Sequence, residues 1–397
     1  MGGKIFANSI TASGKPVVTP RMSPELYHKV SEVCQAKLDT LFDRVVIPRD
    51  APDKKDHGDI DFLVGSVKPA ATANGDLWSA IKKTLGAELY LRGGSHSFAI
   101  PHPEIEDAHI QVDVELSPGD GTPDAAELYQ WTRFMKGDSD LLQIIALSHR
   151  SLGIHCNDRG MHVRVEEIEP RNKQLALLFL TCDPIKTMEF LGFDATKHAA
   201  GFHDETDLFD WATSGRFFSP TVYDKKVEKS NDRSRKAKRP MYARFSQEYM
   251  PAHPDRGASN AWTRKEVLDE ALDTFDKRAQ YDVMMAAHNA NLAEEQLWRE
   301  IKDILPPNGD SLKFAVKALR RWVVFEDGKP RISTTCSIKV PNWTPLMTAD
   351  TKPAVLQWVT ANWAEVKVLE KARAAAEKLA GLEEAKTAAE TQAATES

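Results

Sequence analysis

Cysteine is scarce in this chain and nowhere clustered. Its four cysteines, Cys34, Cys156, Cys182 and Cys336, are far apart, with no CxxC pair, which excludes a disulfide framework and a cysteine-based metal motif. A reducing compartment is expected. Long apolar runs are lacking as well. No stretch of about eighteen apolar residues occurs, so no membrane span is expected. The opening Met1-Gly2-Gly3-Lys4-Ile5-Phe6 has neither the apolar core of a signal peptide nor the Ser or Thr at position six of a myristoylation signal. An intracellular protein, cytoplasmic or nuclear, is therefore expected. Neither sign of charge dominates: the formal net charge is -6 and the pI about 6.1, so contact with a polyanion has to come from a local patch. No fixed-period repeat is visible.

What the chain does have is Lys54-Lys55-Asp56-His57-Gly58-Asp59-Ile60-Asp61-Phe62-Leu63-Val64, a turn-prone polar run that gives way at a glycine to a short apolar strand. Side chains alternate along a strand, so Asp59 and Asp61 share one face while Ile60 and Phe62 face a core. Two carboxylates side by side repel each other unless a cation lies between them, which points to a hard-cation site. A third acid stands in His109-Ile110-Gln111-Val112-Asp113-Val114-Glu115-Leu116, whose apolar and polar positions also alternate. Paired beside the first strand, it brings Asp113 against Asp59 and Asp61, with Glu115 on the same face as an alternative ligand. Three such groups can hold two Mg2+ ions roughly 3.5–4 Å apart, the arrangement that serves in-line phosphoryl displacement.

These residues resemble the polymerase β-type nucleotidyltransferase superfamily, which moves a nucleoside monophosphate from an NTP to an acceptor. Gly58-Asp59-Ile60-Asp61 matches its DxD motif and Gln111-Val112-Asp113 its third acid, over about residues 40–120. The resemblance implies an α/β (α+β) mixed sheet, two Mg2+ ions held by Asp59, Asp61 and Asp113, and an NTP substrate, with Asp113 as a base for the acceptor hydroxyl. One departure stands out. The superfamily places a Gly-Ser pair about eleven residues before the first Asp, where this chain has Pro48-Arg49. Gly93-Gly94-Ser95 follows the DxD strand and cannot be the same element. Arg49, Lys54 and Lys55, with Gly58, are the candidate nucleotide-binding residues in its place, since guanidinium and ammonium groups bind phosphate oxygens.

Along the chain, residues 1–20 lack periodicity and read as a flexible arm. Residues 21–120 hold the catalytic layer: a helix capped by Ser23-Pro24, the strand around Val45, the DxD strand, a helix opened by Gly75-Asp76, two short strands and the Asp113 strand. Its expected core is Val45, Ile47, Ile60, Phe62, Val64, Phe98, Ile110, Val112 and Val114. Residues 121–222 read as a helical body, in which Leu175-Ala176-Leu177-Leu178-Phe179-Leu180 fits a strand or a buried helix equally. Residues 223–244 form a basic segment centred on Arg233-Ser234-Arg235-Lys236-Ala237-Lys238-Arg239; from residue 224 it carries nine Lys or Arg against three Asp or Glu. A solvated face, a nucleic-acid phosphate contact and a nuclear import signal all fit. Residues 245–370 are helical with a hairpin turning at Asp327-Gly328, and residues 371–397 form an Ala/Glu/Lys-rich tail. His96, His102 and His109 lie near the third acid, but their loose spacing argues against zinc. Two functions follow: a metal-dependent nucleotidyltransferase with an unidentified hydroxyl acceptor, or an inactive module of the same fold that binds nucleic acid or a protein.

Overall fold

The computed structural model describes all residues except 1–2, 53, 73–74, 94, 224–229, 338–341, 348–349 and 396–397. The chain divides into two compact units, Met1–Tyr281 and Asp282–Ser397. A mixed five-stranded sheet near the N-terminus is followed by a mostly helical body. Among the described residues no helix is long and apolar enough to cross a membrane.

The sheet comprises β1 (Phe42–Val46), β2 (Asp59–Val67), β3 (Leu89–Arg92), β4 (His96–Pro101) and β5 (His109–Leu116), in the order β1-β2-β5-β4-β3. Only β2 and β5 run parallel, and Asp61 pairs directly with Asp113. A parallel pair needs a crossover. Helix α2 (Leu77–Leu85) and the β3–β4 hairpin supply it. Asp76 starts α2 by accepting the Ser79 amide at 3.0 Å, as Ser23 starts α1 (Pro24–Leu38) by accepting that of Leu26 at 3.3 Å. Ile60, Phe62, Val64, Phe98, Ile110, Val112 and Val114 line one face and pack on both helices, with Val45 and Ile47 at the margin. Each such buried side chain stabilises the unit by roughly 1.5–3 kcal/mol. This fixes the strand faces, and the acids are left on the other side.

That other face is covered from two directions. At one end Leu63 is buried and Gly65 passes so close to α3 (Ala125–Lys136) that an added Cβ would lie 3.0 Å from the Tyr129 ring. At the other end lies the N-terminal stretch, which is not the loose arm that its composition suggests. Phe6 is fully buried with Val17 and Ala99 and packs against Leu89 and Leu91. Backbone bonds add to this: His109 donates to Val18 at 2.8 Å, and Met22 and His57 exchange both of theirs. A few anchors, invisible to periodicity, hold a segment that has no regular structure of its own.

In the helical body the undecided Leu175 stretch resolves as β8 (Leu177–Thr181). It pairs with β7 (Gly160–Arg164), which pairs on its other side with β6 (Ile154–Asn157), in a small antiparallel sheet that the sequence reading did not anticipate. Part of the basic segment, residues 224–229, lies outside the described residues. Past them come the helices Ser230–Lys238 and Pro240–Arg244, and between these Arg239 pairs with Asp140 at 2.6 Å. Tyr242 and Phe245 are buried, so they serve as core anchors and are not available to stack on bases.

The second unit packs Leu297, Trp298 and Ile301 with Ala315, Leu319, Trp322, Trp343, Val355, Val359 and Val366. Its hairpin, Val323–Glu326 with Lys329–Ile332, turns at Asp327 and Gly328, both left-handed, as a tight two-residue turn requires. Glu370, on the long helix Lys352–Thr395, has no solvent access. It accepts two bonds from Arg373 at 2.8 and 2.9 Å, one from Arg321 at 2.9 Å and one from Trp322 Nε1 at 3.0 Å. Burial alone would raise its pKa, but the bonds from Arg373 and Trp322 and the charges of Arg373 and Arg321 outweigh it and hold the carboxyl at about 2.

Candidate metal centre

Asp59, Asp61 and Asp113 bring one oxygen each within 4.8 Å of one another. In-register parallel pairing of β2 and β5 puts Asp61 beside Asp113, and the two-residue strand period adds Asp59 on the same face. The cluster borders a crevice of about 240 Å³ lined by Pro48, Asp61, Phe62, Leu63, Ser95, Asp113, Glu115 and Lys136. Among the described residues no Lys, Arg or His forms an ion pair with any of the three acids. Neutral donors hold Asp59 and Asp113 instead. Gly3 N–H donates to Asp59 Oδ2 at 3.2 Å, and Gln111 Nε2 donates to both oxygens of Asp113 at 3.1 Å. Hard oxygen donors, gathered without an internal cation, are the donor set that suits a divalent ion such as Mg2+.

Without such an ion the cluster resists full ionisation. Although Asp61 as a residue is exposed to solvent, desolvation of its carboxyl first, then the charges of Asp59 and Asp113, push it up to about 7, with Lys136 and Lys54 opposing part of the shift. Burial also raises Asp113, against the pull of the Ser97 hydroxyl, the Gln111 amide and Ser95. Cation binding below about pH 7 therefore has to displace a proton. The apparent Mn2+ affinity is expected to fall about tenfold per pH unit beneath that value and to level off above it. Calorimetric titrations at about pH 6 and pH 8 in buffers of different ionisation enthalpy read both the affinity and the released proton; a flat affinity excludes the linkage. The same shift predicts a stability effect. Because the folded pKa lies above the ordinary 3.8, the metal-free protein is penalised increasingly as pH rises from about 4 to 7 and fully beyond it. Asp61→Asn is expected to raise the melting temperature of the metal-free protein at about pH 8, with the difference vanishing toward pH 4.

The candidate phosphate ligands are placed unequally. Lys54 pairs with Asp50 at 2.6 Å and is near enough to act on the Asp61 charge, Lys55 is exposed, and buried Gly58 leads directly into β2. Arg49, which stands at the Gly-Ser position, is committed elsewhere. Its guanidinium makes a two-point contact with Asp138 at 2.6 and 2.8 Å and lies over the Phe202 ring. Burial would raise the Asp138 carboxyl, but His198 and Arg49 outweigh it and keep it below the usual range. Arg49 and Asp138 line a second cavity of about 370 Å³ with Ile47, Gln130, Arg133, Phe134, Met188 and His198. Residues 47–49 and the end of α3 border both hollows: Pro48 and Lys136 face the crevice, whereas Ile47, Arg49, Arg133 and Gly137 face the cavity. Glu115, the alternative ligand, is bound to Lys136 at 2.6 Å.

The three histidines do not converge. His96 stacks on Trp78 with ring centroids 3.3 Å apart, His102 accepts two backbone amides, and His109 contacts Glu88. In Gly93-Gly94-Ser95, residue 94 lies outside the described residues, while Ser95 lines the crevice.

No family model matches the chain, and no curated protein matches it. Among solved structures it is similar to polymerase beta of Leishmania infantum in a ternary P/T complex, at 15% identity and a TM-score of 0.30, over 45% of this chain and 75% of that one. A likeness at that level carries no weight for fold or chemistry, which rest on this chain's own geometry.

Two contributors to the site were not anticipated from sequence. Lys136 ends α3 within an ordinary amphipathic pattern and enters the crevice only because α3 crosses the sheet. Gly3 contributes a backbone amide, for which no side-chain signature exists.

Proposed function

We propose that this protein is a divalent-metal-dependent nucleotidyltransferase that moves a nucleoside monophosphate from an NTP to a hydroxyl acceptor. The observation that carries the proposal is the convergence of Asp59, Asp61 and Asp113 from two parallel strands, with Asp61 and Asp113 lining one crevice and no Lys, Arg or His paired to the three among the described residues. Mg2+, when bound, supplies charge stabilisation to the triphosphate and acidifies the attacking hydroxyl. The chain's own residues do the rest. Asp59 and Asp61 hold the donor set in place from β2, and Asp113 stands ready to accept the acceptor's proton, its raised affinity for a proton suiting that task. Lys136, Lys54 and Lys55 provide cations for the phosphates, and Lys136 reaches them by exchanging its surface pairing with Glu115. The adjoining cavity, with Phe134 and Met188 as apolar walls and Gln130 as a polar one, takes the nucleoside.

The commitment of Arg49 to Asp138 favours a second reading, an inactive module of this fold that binds nucleic acid through the segment around Arg233–Arg239. Incubation with each α-labelled NTP in Mg2+ or Mn2+, with RNA, DNA or protein as acceptor, separates the two. The enzyme reading expects label to be transferred in metal and none in chelator. Absence of transfer to every acceptor, together with nucleic-acid binding that is unchanged in Asp59→Ala/Asp61→Ala, establishes the second.

A further inference from the structure

We propose that residues 3–22 belong to the metal centre as a backbone clamp, orienting Asp59 and Asp113 through Gly3, Ile5 and Gln111; this rests on the metal-dependent reading of the site. The clamp has two arms. Gly3 N–H reaches Asp59 Oδ2 directly at 3.2 Å, and the Gly3 carbonyl is in turn held by the Thr19 hydroxyl. Ile5 N–H donates to Gln111 Oε1 at 3.3 Å, and the same Gln111 turns its amide nitrogen onto both oxygens of Asp113 at 3.1 Å. Gln111 is buried and is the only link in the second arm, so the orientation of its amide passes from the backbone of Ile5 to the third acid. Directly after the second bond comes Phe6, fully buried, which fixes the segment on the sheet.

Gly3 is required at its position for two separate reasons. Its φ of +82° lies in the left-handed region, and a Cβ there would meet the Gly58 carbonyl oxygen at 2.2 Å and its carbon at 2.9 Å. Those are backbone atoms at the entry to the Asp59 strand and cannot turn aside. A side chain at residue 3 therefore pushes its amide away from Asp59.

The chemistry explains why backbone and amide groups are used here. Three carboxylates held close together repel and swing apart unless something pins them. A lysine or arginine would pin them but would also neutralise them and take the cation's place. A peptide N–H or a glutamine amide occupies one lone pair, adds no formal charge and leaves the remaining oxygens for the ion. Such outer partners commonly set metal affinity by 10–100-fold.

The test compares Gly3→Ala and Gln111→Met with Gly14→Ala in the full chain. Gly14 has nearly the same backbone strain, with φ of +80°, but stands in the arm's own turn with open space around it. Mn2+ affinity by calorimetry is expected to weaken about tenfold or more in the first two variants and to stay at the wild-type value in the third. A metal-free readout accompanies it: amide exchange at Gly3 and Ile5 is expected to be slowed in the wild type and to accelerate at Gly3 in Asp59→Ala and at Ile5 in Gln111→Met. Wild-type Mn2+ binding with unchanged affinity in both site variants overturns the clamp and leaves the metal reading standing. Slowed amides that respond to the mutations in a protein that binds no Mn2+ support the clamp and overturn the metal reading. Freely exchanging amides in the wild type overturn the clamp outright.

Discussion

Asp59→Asn and Asp61→Asn are each expected to lower nucleotidyl transfer by roughly 10³-fold or more, the rate equivalent of several kcal/mol of charge stabilisation withdrawn from the transition state. Asparagine keeps the shape of the side chain and removes only its charge and one acceptor oxygen. The sheet should not suffer, because Ile60 and Phe62 carry the packing of β2 on the opposite face and remain untouched. Loss of activity with preserved circular dichroism and an unchanged or higher melting temperature is thus the signature of a site residue. The raised proton affinity of Asp61 makes its neutral replacement the one more expected to stabilise. Both variants are expected to lose Mn2+ binding in parallel with turnover. Rates within about threefold of wild type in both would remove the pair from the chemistry. The Glu115→Gln variant provides a contrast: Glu115 already has Lys136 as its partner, so its loss frees a cation and leaves the three-acid cluster intact.

The second large effect concerns stability and lies in the unit Asp282–Ser397. Glu370→Ala is expected to destabilise that unit by about 1–3 kcal/mol, since it takes the acceptor from the buried Trp322 indole and one partner each from Arg321, which keeps some solvent, and Arg373, which keeps the Glu377 carboxylate. Here the partners are Arg321, Arg373 and the Trp322 indole, all gathered on a carboxylate with no solvent access. Replacing the ionic group together, Glu370→Leu with Arg321→Met and Arg373→Met, should recover much of the loss, because the desolvation cost leaves with the charges. Denaturation followed by hydrogen exchange in peptides from residues 282–397 measures both. A single-variant loss below about 1 kcal/mol would show that water reaches the cluster. The pH dependence has a definite sign. With its folded pKa held at about 2 against an ordinary 4.5, Glu370 contributes its stability fully above about pH 4.5 and loses it as the pH falls toward 2.

The acid-bearing strands were legible because alternation is a local signal: Ile60 and Phe62 against Asp59 and Asp61, and Val112 and Val114 against Gln111 and Asp113. The cap at Ser23 and the Asp327-Gly328 turn were readable for the same reason, each depending on a few adjacent residues. What escaped depends on contacts far apart in the chain. Phe6 reads like any apolar residue in a Gly- and Ser-rich arm until Ala99 and Val17 surround it. Arg49 looked like a phosphate ligand because it occupies the right interval before Asp59, and nothing nearby announces that Asp138, 89 residues later, will claim it. The strands of the small sheet around residues 154–181 are four or five residues long, too short for their period to be told from a helix turn.

The one-to-one pairing of Asp61 with Asp113 has an implication for how this chain tolerates change. Between the two strands, β4 runs beside the acid strand β5 with Ser97 opposite Asp113, and Ser95 lines the crevice, so segments added there alter only the detour where they fall between β2 and α2. A single residue inserted between Asp59 and Asp61, or just ahead of Asp113, instead reverses which side of the sheet the downstream carboxylate faces. The spacing inside each motif is therefore rigid to the residue, while the distance separating them is elastic.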